Sequence, residues 1–194
     1  MHTYILDCLL SKTYHHEQIP TKFLGVFAAD KIPYDKLMRR SPACCVVNTD
    51  PSDQPGEHWV ALYKPSPYHP LEFFDSFGLS PDMYGFDFGD EKVIFNDSQL
   101  QSPNSHVCGH YCVYFLTHRP YFPFFPTLCP LKVWFTNARD RDKYVYTIVS
   151  FHRFYPQLPA DMVHRSDHKQ CCVSREEMRN RLLRFKAEAA AESD

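Results

Sequence analysis

The chain has 194 residues, of which 44% are hydrophobic and 15% aromatic, and its formal net charge is −2. This length and composition are typical of one globular domain with a substantial core. No uninterrupted apolar stretch reaches membrane-spanning length, and the first ten residues carry no basic leader. We therefore expect neither insertion into a membrane nor secretion.

Charge is distributed unevenly along the chain. Residues 1–100 carry more acidic than basic side chains, whereas residues 119–169 carry a small basic excess. An excess of this size is usually a solvated surface. It therefore indicates at most a weak contact with DNA or an acidic peptide.

The cysteine pattern points to a reducing compartment. Neighbouring cysteines cannot easily bridge each other, and two adjacent pairs occur, so a disulfide framework is disfavoured. Free thiols fit a reducing environment better than an oxidising one. The eight cysteines are Cys8, Cys44, Cys45, Cys108, Cys112, Cys129, Cys171 and Cys172.

The first fifty residues contain a predicted helix followed by strands. Apolar residues at helical spacing predict a helix over Thr3–Tyr14, and residues 20–33 are typical of a strand and turn. The β-branched run Ala43–Thr49 predicts a buried strand. Because side chains alternate along a strand, Cys44 and Cys45 face opposite sides and are expected to be structural thiols.

Two short apolar runs then predict a β-hairpin. The runs cover residues 58–65 and 71–78, and a loop rich in Asp, Pro and Gly precedes the first. His58 opens one strand and Asp75 closes the other, and strand ends are where side chains reach a cleft. Taken singly, such a His is usually an ordinary surface group, and Asp before Ser-Phe-Gly is a turn residue by default.

The second half of the chain is harder to assign. Residues 93–97 predict a short strand, and residues 133–137 an edge strand. Four prolines within residues 119–132 predict an extended aromatic loop there. A late helix is predicted over residues 144–158, stopped by Pro156.

A charged extension is predicted to follow a domain that spans residues 1–160. Residues 161–194 are expected to be helical or mobile, and they contain the one group with spacing similar to that of metal ligands. Adjacent cysteines make that signal weak, so no metal site is predicted. The group comprises His164, His168, Cys171 and Cys172.

The segment Gln101–Leu116 combines a turn with the start of an apolar helix. Pro, Asn and Ser residues supply turn and cap chemistry, and Cys108 lies where the helix is predicted to begin. Unpaired N–H groups and the positive end of the helix dipole favour thiolate over thiol at that position. The alternative is a capped core helix that happens to begin with Cys.

Four residues together supply the groups that acyl transfer through a thiolate requires. An imidazole (His58) takes and returns a proton, and a carboxylate (Asp75) holds the imidazole in the correct tautomer. A thiolate (Cys108) attacks the carbonyl, while the amide of Gln101 and the backbone N–H of Cys108 stabilise the oxyanion.

The order and spacing of these motifs resemble the adenovirus endopeptidase (adenain) family. Seventeen positions separate His58 from Asp75, and seven separate Gln101 from Cys108, as in the family pattern of His-Trp, acid before Phe-Gly, and Gln-x-Pro-Asn-Ser-x-x-Cys-Gly. The resemblance covers roughly residues 23–116. Family members often carry Glu where this chain has Asp75, a difference of one methylene that preserves the role.

The resemblance implies a fold, a reaction and a set of site residues. The fold is α+β, with an antiparallel or mixed sheet that carries His and acid and packs against a central helix beginning at the nucleophilic Cys. His58, Asp75, Gln101 and Cys108 correspond to base, acid, oxyanion donor and nucleophile. Substrate or oxyanion support is implied for Trp59, Asn104 and Gly109, whose missing side chain leaves room beside the sulfur.

The resemblance also implies a biological setting. The expected substrates are viral precursor proteins with small residues near the scissile bond, cleaved during virion maturation in the virion and in the host nucleus or cytoplasm. Adenovirus enzymes are stimulated by a peptide linked to a cysteine between the acid and the Gln, and by DNA. Residues 76–100 contain no Cys, so no cofactor is required on sequence grounds, and a source other than a typical adenovirus is expected.

Three other interpretations remain open. Proteases that process ubiquitin-like proteins share the order His, Asp, Gln, Cys, although Pro-Asn-Ser before the Cys favours the viral type. From other classes, the chain could be a binding protein with an inactive protease fold, or an interaction module that binds zinc through the group in residues 161–194. A papain-type enzyme is excluded, because that family places Cys before His.

Overall fold

In the computed structural model, residues 1–122 and 124–150 are described. Two short 3₁₀ helices cover Ala29–Lys31 and Pro81–Tyr84. The other elements are α1 (Thr3–His16), β1 (Lys22–Phe27), α2 (Tyr34–Arg39), β2 (Ala43–Asn48), β3 (Trp59–Lys64), β4 (Leu71–Phe74), β5 (Val93–Phe95), α3 (Cys108–His118), α4 (Phe124–Trp134) and α5 (Ala138–Ser150).

The strands form one mixed sheet in the order β1-β2-β3-β4-β5. The central pairs β2–β3 and β3–β4 are antiparallel, whereas the outer pairs β1–β2 and β4–β5 are parallel. The prediction of an α+β fold with an antiparallel or mixed sheet is therefore confirmed. All four strands predicted over residues 43–97 are present as well.

Each face of the sheet packs against its own apolar cluster. Cys44 and Val46 of β2 face helices α1 and α3, whereas Cys45 and Val47 face the opposite side with Leu37 of α2. This alternation follows from the two-residue repeat of a strand and confirms the predicted orientation of the two thiols. The sheet is thus covered on both sides.

Helix α3 is the central helix of the domain. All of its residues are buried, and it packs against β3, α1, α4 and α5. At its C-terminal end, the guanidinium of Arg119 forms a bidentate ion pair with Glu72 of β4, with distances of 2.6 and 2.5 Å. This pair ties the C-terminal end of the helix to the sheet.

The predicted loop over residues 119–132 is wrong, because this part of the chain forms α4. Pro126 falls in the first turn, where a missing N–H removes no intrahelical bond, and Pro130 lies inside the helix. A buried stripe at helical spacing was obscured by the prolines. It consists of Phe124, Leu128 and Leu131.

The edge strand predicted over residues 133–137 is also wrong. Val133 and Trp134 end α4, and the Oδ1 of Asn137 accepts the N–H of Asp140 at 2.9 Å, which caps α5. Helix α5 then begins well before the predicted late helix. Whether Pro156 ends a helix lies outside the described residues, as does the boundary at residue 160.

No helix among residues 1–122 and 124–150 combines the length and the apolar content needed to cross a bilayer.

The sequence-based assignment omits α2, a short helix that buries Leu37 beneath the sheet. The opening helix is confirmed and extends to His16.

Candidate active site

A cleft of about 780 Å³ brings together the four residues that the motifs single out: His58, Asp75, Gln101 and Cys108. His58 comes immediately before β3, Asp75 immediately after β4, and Cys108 begins α3. Asp75 lies behind His58, fully buried, whereas the other three line the cleft. Adjacent strand ends and one helix start thus meet at the same edge of the sheet.

The Asp75 carboxylate is held by four donors. Its Oδ1 accepts the Nε2–H of His58 at 2.6 Å and the backbone N–H of Phe77 at 3.0 Å. Its Oδ2 accepts the N–H of Leu79 at 2.9 Å and the hydroxyl of Tyr84 at 3.0 Å. A carboxylate with this many donors has little freedom to rotate.

Two aromatic rings stack on the imidazole of His58. The centroid of the Phe77 ring lies 4.7 Å from that of the imidazole, with an angle of 22° between the ring planes. For Tyr84 the centroid distance is 5.8 Å and the angle 23°. Burial and the neighbouring Asp75 raise the pKa of Tyr84 far above its ordinary value, so its hydroxyl remains a donor. The rings restrict the plane of the imidazole while Asp75 fixes its Nε2 side.

Cys108 is a neighbour of the same imidazole. Nε2 of His58 is bonded to Asp75, which leaves Nδ1 as the ring nitrogen available to the thiol. His58 and Cys108 are close enough for hydrogen bonding and charge to shift each other's pKa, and the backbone N–H groups of Trp59 and Gly109 also lower the pKa of the thiol. The imidazole is therefore placed to interact with both the carboxylate and the thiol.

These neighbours shift the pKa values of Cys108 and His58 in the directions that favour an ion pair between the two side chains. Burial alone would raise the pKa of Cys108, but the hydrogen bond and charge of His58, helped by the two backbone donors, lower it below 9.0. Burial alone would lower the pKa of His58, but Asp75 and then Cys108 raise it to about 9. A thiolate next to an imidazolium is favoured as a result.

Cys108 differs from the cysteines buried elsewhere. Burial raises the pKa of Cys44 to about 12, and it raises the pKa of Cys45 and Cys112 well above 9.0. Cys112 lies one helical turn after Cys108, and its thiol donates to the carbonyl of Trp59 at 3.3 Å. Of these four thiols, Cys108 is the one whose pKa is lowered.

The orientation of the Gln101 carboxamide is determined by two contacts. Its Nε2 donates to the carbonyl of Ser105 at 2.5 Å, and its Oε1 accepts the hydroxyl of Ser76 at 2.8 Å. Because a carbonyl oxygen can only accept, the Ser105 contact identifies the nitrogen. Because Gln101 also lines the cleft, we expect the second hydrogen on Nε2 to be within reach of a group bound there.

The turn after Asp75 is docked onto the segment that leads to Gln101. The carbonyl of Ser76 accepts the N–H groups of Leu100 and Gln101, at 2.8 and 3.0 Å. Gly78 has a φ of +71°, and a Cβ there would lie 2.5 Å from the backbone of Ser98. Only glycine permits this approach, which couples the position of the acid to that of the amide.

The three predicted support residues occupy different surroundings. Trp59 lines the cleft, and its indole N–H donates to the carbonyl of Met1 at 3.0 Å. At Gly109, the space of a missing Cβ is taken by Met1 and Leu6, at 3.1 and 3.4 Å, so the glycine permits close packing of the first residues. Asn104 is exposed and lies outside the cleft lining.

Sequence reasoning did not identify several residues that hold this site together. Two of them follow Asp75 directly, one lies between the strands predicted over residues 71–78 and 93–97, and one lies inside the second of these strands; a single sequence offers no sign of contacts made between distant segments. These residues are Ser76, Phe77, Tyr84 and Asn96.

Within residues 1–122 and 124–150, no three side chains of the His, Cys, Asp or Glu type are grouped so as to hold a metal ion. The group in residues 161–194 lies outside that part of the chain.

A buried carboxylate, an imidazole and a helix-start thiol in one cleft of an α+β fold define the arrangement used by cysteine hydrolases. Curated proteins with detectable similarity are adenovirus proteases, so the predicted resemblance is confirmed. The "Protease" of Bovine adenovirus C serotype 10 is 32% identical over 114 residues, which is 48% of this chain and 56% of the relative.

Other relatives show comparable similarity. The "Protease" of Human adenovirus B serotype 3 is 30% identical over 112 residues (49% of each chain), and that of Porcine adenovirus A serotype 3 is 29% identical over 125 residues (55% of this chain, 59% of the relative). The chain spans about half the length of the curated relatives it matches. No protein-family model matches it.

Proposed function

We propose that the chain is a cysteine endopeptidase in which Cys108 is the nucleophile, His58 the base, Asp75 the residue that orients the base, and Gln101 an oxyanion donor. The observation that carries the proposal is the imidazole of His58, bonded to Asp75 at 2.6 Å, lining the same open cleft as Cys108. The names of the similar adenovirus proteases support the same class of activity.

The geometry supports a two-step mechanism. The Cys108 thiolate attacks the scissile carbonyl carbon, and the electron pair of the C=O bond moves onto oxygen. Gln101 and the free N–H groups at the start of α3 donate to that oxyanion. Protonated His58 then gives its proton to the departing amine as the C–N bond breaks, which leaves a thioester on Cys108.

Hydrolysis of the thioester uses the same residues in reverse. His58, now neutral, removes a proton from water, and the resulting hydroxide adds to the thioester carbonyl. Collapse of the second oxyanion expels the Cys108 thiolate and releases the carboxylic acid product. Asp75 remains ionised throughout and stabilises the imidazolium each time it forms.

The substrates we propose are viral precursor polypeptides cleaved during virion maturation, in the virion and in the host nucleus or cytoplasm. Support comes from the adenovirus relatives and from Pro-Asn-Ser before the nucleophile. The runner-up is an enzyme that removes ubiquitin-like proteins. Both would use the same chemistry, so substrate preference separates them.

A direct comparison of substrates tests this function. Purified protein is incubated with a Gly-Gly-containing viral precursor peptide and with a ubiquitin-like protein that carries a C-terminal extension. We expect cleavage of the peptide, retained by Cys8→Ser, which changes a half-exposed thiol on α1. Preferential cleavage of the ubiquitin-like protein would support the runner-up, and cleavage of neither would favour a binding protein with a protease fold.

No covalent peptide activator is proposed. Residues 76–100 contain no cysteine to which a peptide could be linked, and His58 already contacts both Asp75 and Cys108 in the chain alone. A weak contact with DNA remains a prediction from the small basic excess in residues 119–169.

Replacement of Gln101 by alanine is expected to lower kcat by on the order of 10²-fold or more, with a smaller effect on KM, because the lost N–H stabilises the oxyanion more than the substrate carbonyl. Steady-state kinetics with the cleaved peptide measure the effect. Gln99→Ala is the matched control, since its amide donates to the backbone carbonyl of Gln101 and not to the cleft. Equal kinetics for Gln101→Ala and wild type would remove Gln101 from the site.

The pH dependence of kcat/KM should be bell-shaped. Activity rises as the Cys108 thiol, whose pKa is lowered below 9.0, becomes a thiolate, and it falls as the imidazolium of His58 loses its proton near pH 9. His58→Ala should leave a single ascending limb displaced toward higher pH, because the thiol loses its cationic partner. A wild-type profile that keeps rising above pH 10 would contradict the ion pair.

A further inference from the structure

The side chain of Asn96 binds both main-chain polar groups of Asp75. Asn96 follows β5 directly and is only 2% exposed. Its Oδ1 accepts the N–H of Asp75 at 2.9 Å, and its Nδ2 donates to the carbonyl of Asp75 at 2.5 Å. The same Nδ2 lies 3.4 Å from the carbonyl of Ser98.

This arrangement extends the sheet by one step beyond the paired strands. Strands β4 and β5 are paired in parallel as far as Phe73 and Phe95, and Asp75 follows the end of β4. A carboxamide offers the same donor and acceptor as a peptide group. Asn96 therefore takes the place of a main-chain partner where the chain turns away from the sheet.

The position of Asp75 matters because its carboxylate meets His58 at 2.6 Å. Phe77 and Leu79 bind the carboxylate from the turn that follows, so they move with that turn. Asn96 instead anchors Asp75 to a different strand. A displacement of about 1 Å at such a contact is enough to cost on the order of 10²-fold in rate.

We propose that Asn96 is a positioning residue that holds the main chain of Asp75 so that its carboxylate meets the imidazole of His58. The proposal rests on the peptidase function proposed above and deepens it by assigning a residue that acts through Asp75.

Several titratable groups face His58 from different elements. Asp75 approaches from the end of β4, Tyr84 from the 3₁₀ helix and Cys108 from α3, while Glu57 and His106 line the same cleft. Of the three in contact with His58, Asp75 is the one that Asn96 binds. A change in the titration of His58 after substitution of Asn96 would therefore pass through Asp75.

The test compares Asn96→Ala with wild type by two readouts. The first is the pH dependence of Cys108 alkylation by iodoacetamide, which needs no substrate. The second is kcat and KM for the peptide, normalised to titrated active sites, so that loss of folded protein does not count. We expect kcat per site to fall about 10- to 100-fold with KM nearly unchanged, and the upper pH limit of kcat/KM to move from near 9 toward 6.5.

Two further variants keep the test decisive. Phe95→Leu weakens the packing of β5 but leaves both Asn96 bonds in place, so it should keep the wild-type pH profile per titrated site. Asn96→Ser retains one polar group, so its kcat per site should lie between those of Asn96→Ala and wild type. It replaces the alanine variant in the test if that variant does not fold.

The outcomes separate the two proposals. A wild-type pH profile and kcat per site in folded Asn96→Ala would overturn the positioning role, even if the wild-type chain cleaves peptides. A wild-type chain that cleaves no peptide, combined with an altered alkylation profile in Asn96→Ala, would overturn the peptidase function and support the positioning role.

Discussion

Cys108→Ser is expected to lower kcat/KM by roughly 10⁵-fold or more, which is effectively a complete loss of cleavage. The serine hydroxyl has a much higher pKa than the thiol, so His58 cannot hold it as an anion in the way it favours the Cys108 thiolate. The exchange of sulfur for oxygen changes little else, because the side chain remains small and polar at the start of α3. Steady-state cleavage of the viral precursor peptide measures the loss.

Cys112→Ser provides the matched control for this variant. Cys112 lies on the same helix and is buried, and its thiol bonds to the carbonyl of Trp59, a contact that a serine hydroxyl can also make. We expect this variant to retain most activity. Turnover by Cys108→Ser within about tenfold of wild type would show that the nucleophile lies elsewhere.

Asp75→Asn is expected to lower kcat/KM by roughly 10²- to 10⁴-fold, because a neutral carboxamide cannot stabilise the imidazolium of His58 or enforce its tautomer. The upper limb of the pH profile should also move down from near 9, since Asp75 is the main contact that raises the pKa of His58. Rates measured across the pH range with the same peptide separate the two effects.

The Asp75→Asn variant should also be less stable. Both carboxylate oxygens accept a backbone N–H, from Phe77 and from Leu79, so either orientation of the asparagine amide places its NH₂ against a backbone donor. The cost is about 1–3 kcal/mol in the free energy of unfolding. Tyr84→Phe, which removes one donor but leaves the charge, is the control, and its loss of activity should be much smaller.

The sheet could be predicted from sequence because its strands carry a strong local signal. Residues 43–48 and 59–64 are short apolar runs bounded by Pro, Gly and Asp, and both form strands where the pattern places them. The helix that begins at Cys108 was equally clear from its turn residues and apolar spacing.

The helix α4 could not be predicted with the same rules. Proline is a strong local signal against a helix, but Pro126 lies in the first turn, and tertiary packing of Phe124, Leu128 and Leu131 outweighs Pro130. Hydrophobic spacing over residues 124–131 was the better guide than proline content.

Some residues of the candidate site could likewise be predicted from sequence, and others could not. His58, Asp75, Gln101 and Cys108 could be named because each has a chemical role and a recognisable neighbouring sequence. The contact of Asn96 with the backbone of Asp75, or of Ser76 with the Gln101 amide, joins segments separated by more than twenty residues. Nothing in the local pattern of either segment encodes such a pairing.

The thiolate–imidazolium pair is the central claim, and the rate of Cys108 alkylation at pH 6 tests it most directly. Iodoacetamide labelling is followed by peptide mass spectrometry in wild type and in His58→Ala. We predict that Cys108 is labelled fastest of the eight cysteines in wild type and that this preference is lost without the imidazole. Labelling of Cys108 no faster than that of Cys8 in the wild-type protein would contradict the account.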